Sequence, residues 1–177
     1  MVSPDRIFLV GPMGAGKTAV GRALAQALGY EFHDTDLEIV RRTGVDVPYI
    51  FEIEGEEGFR RRESEAIDAL SRQSRIVLAT GGGAVLADTN RRHLAERGFV
   101  VFLDATPATQ LARTRRSRHR PLLAGDDPGQ RLRELYARRE PLYREIADLV
   151  VPTDGKRVTQ VVRLILRSLD TAGQRDG

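Results

Sequence analysis

The stretch that decides the fold is Gly11-Pro12-Met13-Gly14-Ala15-Gly16-Lys17-Thr18, which matches the pattern G-x-x-x-x-G-K-[ST]. Residues 7–10 before it form a short apolar run of the kind that a buried parallel strand needs. Residues 19–28 after it are rich in Ala and Leu, with apolar positions at helical spacing. A strand, a glycine loop and a helix in this order are the context that identifies a phosphate-binding loop.

The chemistry of such a loop is local. Its glycines let the backbone N–H groups from Gly11 to Gly16, Gly14 and Ala15 included, converge on phosphate oxygens, and the helix N-terminus adds partial positive charge. We expect Lys17 to reach the β- and γ-phosphates and the Thr18 hydroxyl to bind Mg²⁺. The alternative is a glycine-rich turn that ends in Lys-Thr by chance. Lys17 and Lys156 are the lysines among 28 basic residues, so a lysine at this position favours the functional interpretation.

Length and composition indicate one soluble globular domain spanning residues 1–177, with 41% hydrophobic and 30% charged residues. The sequence has no cysteine, which excludes a disulfide framework and thiol chemistry and fits a cytoplasmic protein. No apolar stretch has the length of a membrane span, and the N-terminus lacks a signal-peptide core. The net charge of +3 is weak evidence for nucleic-acid binding.

Short apolar runs alternate with helical patterns along the chain. The predicted strands are residues 7–10, 31–33, 76–80, 99–103 and 149–151. The predicted helices are 19–28 closed by Gly29, 37–42 stopped at Gly44, two helices within 47–72 that meet near Gly55, 88–97 with Asp88 as N-cap, one opening at Thr106-Pro107, a long one from Asp127 that Pro141 kinks or ends near Glu140, and 158–169. This order predicts a three-layer α/β/α fold with a five-stranded parallel sheet.

Sites in open α/β sheets form beyond the carboxyl ends of the strands. Asp34 and Asp36 follow the second strand, which suits one acid near Mg²⁺ and the other at a substrate hydroxyl, although capping of the next helix explains the pair equally well. The triple glycine at 81–83 follows the third strand and is either a backbone-donor surface or a flexible turn. Asp104, after the fourth strand, imitates a Mg²⁺-binding acid but ranks below Asp34, because helix capping accounts for it.

Residues 105–125 contain no acid and carry five arginines. The segment is either a solvated basic face or a mobile lid, at about 113–126, that closes over polyphosphate. The neighbouring phosphate loop favours the lid, but the pattern does not identify which arginine acts.

Taken together, these motifs resemble the shikimate kinase family, a small-molecule branch of the P-loop kinases, from about residue 6 to residue 169. The residues that carry the resemblance are the phosphate loop 11–18, Asp34-Thr35-Asp36, Gly55-Glu56, Phe59-Arg60, Glu63, Gly81-Gly82-Gly83-Ala84-Val85, Arg120-Pro121-Leu122-Leu123, Arg139 and Pro141-Leu142-Tyr143.

The resemblance implies ATP-dependent phosphorylation of the 3-hydroxyl of shikimate, a step of aromatic amino-acid biosynthesis. It implies a substrate-binding region at about 34–63, with Asp36 at the reacting hydroxyl as base or orienting group. Arg60 and Arg139 would clamp the carboxylate, a role that suits a planar guanidinium. Gly81, Gly82 and Gly83 would line the ring hydroxyls through their backbone.

On the nucleotide side, the resemblance assigns Lys17 and Arg120 to the charge of the transferring phosphoryl group, with Arg120 delivered by the lid. Thr18 would bind Mg²⁺ directly and Asp34 through water, and Arg113 would pack against adenine. Phe51, Phe59 and Pro121 would form the apolar wall of the shikimate pocket. Residues 152–157 match the family least well, and their adenine contacts stay unassigned.

Other classes of function make different predictions. A gluconate or nucleoside-monophosphate kinase shares the phosphate loop but leaves the glycine triplet, Phe59-Arg60 and Arg139 together unexplained. A regulatory GTPase needs an Asn-Lys-x-Asp signature, and no lysine here follows Asn. A nucleic-acid-binding module would bind any polyanion in a salt-sensitive way. We expect ATP and shikimate as ligands, no nucleic-acid or membrane partner, and a monomer.

Overall fold

The structure, a computed structural model, describes residues 3–115 and 127–173. Its centre is a five-stranded, fully parallel sheet in the order β2-β3-β1-β4-β5. The strands are β1 (Arg6–Val10), β2 (Glu31–Asp34), β3 (Ile76–Ala79), β4 (Phe99–Asp104) and β5 (Leu149–Pro152). All five predicted strands are confirmed, and the phosphate loop follows the central one.

Helices cover both faces of the sheet. They are α1 (Lys17–Leu28), α2 (Thr35–Thr43), α3 (Val47–Leu70), α4 (Asp88–Arg97), α5 (Pro107–Thr114), α6 (Pro128–Ile146) and α7 (Val158–Gly173), with a short 3₁₀ turn at Ala84–Leu86. None of the helices in the described part of the chain is long and apolar enough to cross a membrane. The predicted three-layer α/β/α architecture is confirmed.

Alternating side chains of β1 divide the core between the two faces. Ile7 and Leu9 pack with α1 and α7, whereas Phe8 and Val10 pack with α3, α4 and α6. A third, smaller cluster joins α2 to α3 around Ile39 and Phe59. Strands buried on both faces are near-continuously apolar, which is why short apolar runs were sufficient to predict them.

Helix α3 contains the predicted interruption. Gly55 has φ 71° and ψ −178°, so the helix is two segments joined at this glycine. Glu54 and Arg62 form a two-pronged ion pair across the joint, with Nε–Oε2 at 2.9 Å and Nη2–Oε1 at 2.6 Å. The joint places the segment that carries Phe51 beside the segment that carries Phe59, and their rings lie 4.7 Å apart.

Two predicted helix boundaries are wrong. The N-cap of α4 is Ala87, and Asp88 lies in the first turn, where it pairs with Arg91 and Arg92 and complements the helix dipole. Pro141 does not end α6, which continues to Ile146. Proline costs one backbone hydrogen bond there, and we attribute the continuation to burial of Arg139 before it and Tyr143 after it.

Candidate active site

The phosphate loop has the geometry of an anion cradle. Gly11, Gly14 and Gly16 have φ values of 146°, 80° and 88°, which favour glycine, and a Cβ at Gly11 would overlap the Leu103 carbonyl. Gly16 is the N-cap of α1 and supplies no side-chain acceptor, so the first N–H groups of the helix are left to an external ligand. Lys17 Nζ donates to the Gly11 and Pro12 carbonyls at 2.6 and 2.8 Å.

Asp34 combines the two roles that sequence left open. Its Oδ1 accepts from the Asp36 and Leu37 N–H groups at 2.9 and 3.2 Å and thereby caps α2. Its Oδ2 accepts from the Thr18 hydroxyl at 2.9 Å. The pair therefore presents a hydroxyl and a carboxylate, both hard oxygen ligands of the type that Mg²⁺ prefers, beside the phosphate loop.

The triple glycine brings the other predicted residues together. A Cβ at Gly81 would lie 2.7 Å from Glu63 Oε2 and 3.3 Å from Asp36 Oδ1. A Cβ at Gly83 would lie 2.6 Å from Arg60 Cζ, and one at Gly82 would lie 3.5 Å from an Arg139 Nη atom. Side chains from α2, α3 and α6 thus converge on a loop that has no room for side chains of its own.

Arg60 is held by two carboxylates of its own helix. Its Nη1 donates to Glu63 Oε1 at 2.8 Å, and its Nη2 lies 3.4 Å from Glu56 Oε1. Glu63 is fully buried, and this burial raises the pKa of its carboxyl, with the positive charge of Arg60 opposing the shift. The contact fixes the direction of Arg60 toward the glycine loop.

Arg139 differs from Arg60 in having no acidic partner. It is 5% exposed, and no ion pair joins it to any acid within residues 3–115 or 127–173. Burial lowers the pKa of its guanidinium, and the nearby positive charge of Arg60 lowers it further. Two guanidinium groups therefore flank one loop with a single buried acid, Glu63, between them.

A cavity of about 310 Å³ joins the phosphate loop to this cluster. Its lining includes Lys17, Thr18 and Arg113 on one side and Asp34, Asp36, Gly81 and Gly82 on the other. Asp36 thus lies in the same cavity as the phosphate loop. This arrangement can hold a polyphosphate and a small anionic acceptor side by side.

Arg113 connects the phosphate loop to the chain after β5. Its Nη1 donates to the Gly14 carbonyl at 2.9 Å and to Thr153 Oγ1 at 3.0 Å, and its Nη2 donates to the Thr153 carbonyl at 2.8 Å. It belongs to α5, so the first positions of the predicted lid are helical. Arg120 and Pro121 lie outside the described residues.

Asp104 is not available as a metal ligand. Its Oδ1 accepts from the Tyr136 hydroxyl at 2.9 Å, and its Oδ2 lies 3.5 Å from Arg144. The cap of α5 is Thr106, so neither interpretation proposed for Asp104 is right. Within the described ranges, no three His, Cys, Asp or Glu residues cluster as a metal-binding group.

Sequence reasoning assigned no role to two residues that shape the glycine loop. Thr35 Oγ1 accepts from the Gly81 N–H at 3.0 Å, and the Tyr143 hydroxyl donates to the Gly82 carbonyl at 2.5 Å. Tyr143 follows Arg139 by four positions, and this spacing on one helix face was the available signal. For Thr35, its position between two site aspartates was the only hint.

Sequence comparisons identify the relatives of this chain. Residues 13–170 match the family model described as shikimate kinase. A shikimate kinase of Methylococcus capsulatus is 58% identical over 169 residues, which cover 96% of this chain and 94% of the relative. A shikimate kinase of Halorhodospira halophila is 56% identical over 167 residues and covers 94% of each chain.

Solved structures agree with these matches. A shikimate kinase from Acinetobacter baumannii in complex with shikimate superposes with a TM-score of 0.93 at 48% identity, covering 95% of this chain and 94% of that one. A gluconokinase from Sinorhizobium meliloti has a TM-score of 0.68 at 21% identity, with 99% and 97% covered. The second likeness concerns the fold alone.

Proposed function

The chain belongs to the shikimate kinase family, and from this membership we propose how its residues carry out the reaction. It is an ATP-dependent kinase that phosphorylates the 3-hydroxyl of shikimate, giving 3-phosphoshikimate and ADP in aromatic amino-acid biosynthesis. What we propose is which residues hold each substrate and which group meets the acceptor hydroxyl.

The observation that carries the proposal is the buried, acid-free guanidinium of Arg139 beside Arg60. Burying a cation without a counter-ion is costly, so the site gains stability when an anion arrives. A carboxylate matches the two donors of a guanidinium fork, and shikimate has one carboxylate. We therefore place that carboxylate between Arg60 and Arg139, over the backbone of Gly81, Gly82 and Gly83.

Asp36 is the group assigned to the acceptor hydroxyl. Its carboxylate lies beside Gly81 and lines the cavity shared with the phosphate loop. A carboxylate in hydrogen-bond reach of the hydroxyl orients it and accepts its proton as the oxygen attacks the γ-phosphorus of ATP. Phe51 and Phe59 supply the apolar wall, and Pro121 completes this assignment.

The phosphate side is assigned to the loop and its lysine. Backbone N–H groups of Gly14, Ala15 and Gly16 and the N-terminus of α1 hold the phosphates, with Gly11 allowing the loop its close approach to β4. Lys17 and Arg120 neutralise the charge that develops on the transferring group. Arg113 lies against adenine, beside the loop that follows β5.

The oxygen pair formed by Thr18 and Asp34 fits a magnesium ion. Thr18 would bind it directly and Asp34 through water, since Mg²⁺ commonly keeps several waters and takes few protein ligands. Bound there with the nucleotide, the ion would neutralise phosphate charge.

The active site is contained in one chain, and we propose that the enzyme acts as a monomer. Its ligands are shikimate and ATP, with no role for nucleic acid or a membrane. Because the reaction consumes ATP, we place it in the cytoplasm.

The experiment is an ADP-release assay with Mg²⁺-ATP that offers shikimate, gluconate and nucleoside monophosphates in turn to the wild type and to Asp36→Asn. We expect turnover with shikimate alone. We also expect the variant to lose at least about 100-fold in kcat, while its ATP dissociation constant stays within about twofold, because the amide cannot accept the proton.

The exposed acid Asp170 provides the control, and Asp170→Asn should behave as the wild type. Wild-type turnover by Asp36→Asn would overturn the role of Asp36. A preference for gluconate would overturn the substrate placement while leaving the phosphate side intact.

A further inference from the structure

The peptide that joins Gly82 to Gly83 has an unusual anchor. The carbonyls of Gly81 and Gly83 accept from backbone N–H groups of the same turn, those of Ala84 and Leu86, at 3.0 and 3.1 Å. The Gly82 carbonyl instead accepts from the Tyr143 hydroxyl, which reaches it from α6. The orientation of this one peptide therefore depends on a side chain that is 61 positions distant in sequence.

That orientation matters because a peptide is planar. In a trans peptide the C=O and N–H bonds point in opposite directions, so a fixed Gly82 carbonyl also fixes the Gly83 N–H. Among the described residues, no acceptor is hydrogen-bonded to the N–H of Gly82 or Gly83. These donors lie beside Arg60 and Arg139, where the proposed function places the substrate.

Tyr143 also reaches Arg139. The two side chains interact, and the contact counteracts the burial that lowers the pKa of the Arg139 guanidinium. Burial raises the pKa of the Tyr143 phenol, so at neutral pH the hydroxyl is a permanent donor to Gly82 and can accept only through its oxygen. One hydroxyl thus connects a backbone donor to a guanidinium of the clamp.

Packing explains the ring of Tyr143 but not its hydroxyl. The ring stacks at 5.0 Å from Phe102 and is fully buried in the core between the sheet and α6. A phenylalanine would fill the same volume without requiring a polar partner. The hydroxyl contributes through its hydrogen bond to the glycine loop.

We propose that Tyr143 is a positioning residue whose hydroxyl holds the Gly82–Gly83 peptide, and the Arg139 guanidinium beside it, in the orientation that receives shikimate. The inference rests on the proposed carboxylate clamp. Tyr143 itself touches neither substrate and acts through the two groups that it orients. It therefore affects shikimate binding and leaves ATP binding to the phosphate loop.

The test compares Tyr143→Phe with Tyr136→Phe. Both substitutions remove one hydroxyl from α6, but that of Tyr136 donates to Asp104 and not to the glycine loop. We expect Tyr143→Phe to raise the KM and the dissociation constant for shikimate about 3- to 10-fold, the effect of losing one hydrogen bond. The KM for ATP should change less than about twofold, and Tyr136→Phe should leave both KM values unchanged.

Three results would overturn the inference. The first is an unchanged shikimate KM in Tyr143→Phe, and the second is an equal rise for shikimate and ATP. The third is a Tyr143→Phe chain that no longer folds, by circular dichroism and thermal melting, because the hydroxyl would then be holding the core.

An Arg139→Ala arm separates this inference from the proposed function. If Arg139→Ala keeps wild-type shikimate affinity, the clamp itself is wrong, and the inference falls with it. If Arg139→Ala loses that affinity while Tyr143→Phe keeps it, the clamp stands and only the positioning role of Tyr143 is wrong.

Discussion

The two guanidinium groups of the site illustrate how burial and pairing divide a task. Arg60 has Glu63 at 2.8 Å and is oriented before any substrate arrives. Arg139 is 5% exposed and has no acid in the described part of the chain. The first group supplies direction and the second supplies an uncompensated charge, so the pair is complementary to a single carboxylate.

Replacing Arg139 with lysine tests this division at the residue scale. Arg139→Lys keeps the charge but loses the two-pronged geometry, so we expect the shikimate KM to rise by about tenfold or more. The KM for ATP should stay within about twofold. Arg138→Lys is the matched control, because Arg138 is the exposed neighbour on the same helix. Equal increases for both substrates would contradict the clamp.

Residue identity predicted much of the site, because its chemistry depends on types that few other positions explain. The lysine of the phosphate loop and the acids after β2 were recognisable from their place after a strand. Asp104 occupied an equivalent place and was still misleading, because its partners Tyr136 and Arg144 come from α6. Contacts between distant helices cannot be read from local spacing.

At the scale of elements, Gly55 decides the shape of the substrate region. Its φ of 71° with ψ of −178° is a conformation that only glycine adopts readily. We expect Gly55→Ala to lower the free energy of unfolding by about 1–3 kcal/mol, measured by urea denaturation. Gly129→Ala is the control, since Gly129 lies in helical backbone and a Cβ added there would make only ordinary contacts. A neutral Gly55→Ala would show that the joint relaxes without cost.

Helix α2, which carries Asp36, should respond to acid through Glu38. Hydrogen bonds from Arg41, and then from Arg42, lower the pKa of Glu38 from 4.5 to about 2. A carboxyl group with a lowered folded-state pKa stabilises the fold above its unfolded value, and this stabilisation is lost as the pH falls through the folded value. The loss therefore falls between about pH 4.5 and pH 2.

Urea denaturation between pH 5 and pH 2 measures this contribution. The wild type should lose up to about 1 kcal/mol more than Glu38→Gln over that interval, because exposed helical ion pairs contribute little. Glu96→Gln, at an exposed position without an ion pair in the described residues, should follow the wild type. Identical pH profiles for all three proteins would contradict the role of Glu38.

Strands were easier to predict than helix ends for a physical reason. Burial on both faces makes each strand a short apolar run, whereas the start of α4 depended on a choice between Ala87 and Asp88. Pro141 shows the opposite failure, because burial on both sides of it outweighs the local preference to stop. Local rules predict elements well where tertiary packing agrees with them.

At the scale of the whole molecule, the parallel sheet brings distant segments to one edge. The loops after β1, β2 and β3 contribute phosphate donors, acids and backbone donors, and α3 and α6 add one arginine each. We propose above all that this edge recognises its acceptor through the carboxylate held by Arg60 and Arg139.

The most direct test is to compare kcat/KM for shikimate and its methyl ester in the wild type and in Arg139→Met. The wild type should prefer shikimate by about 100-fold or more, because the ester leaves a buried guanidinium without its anion. The variant should lose most of that preference, since the missing charge no longer distinguishes the two acceptors. An undiminished preference for the free acid in Arg139→Met would contradict carboxylate recognition by this pair.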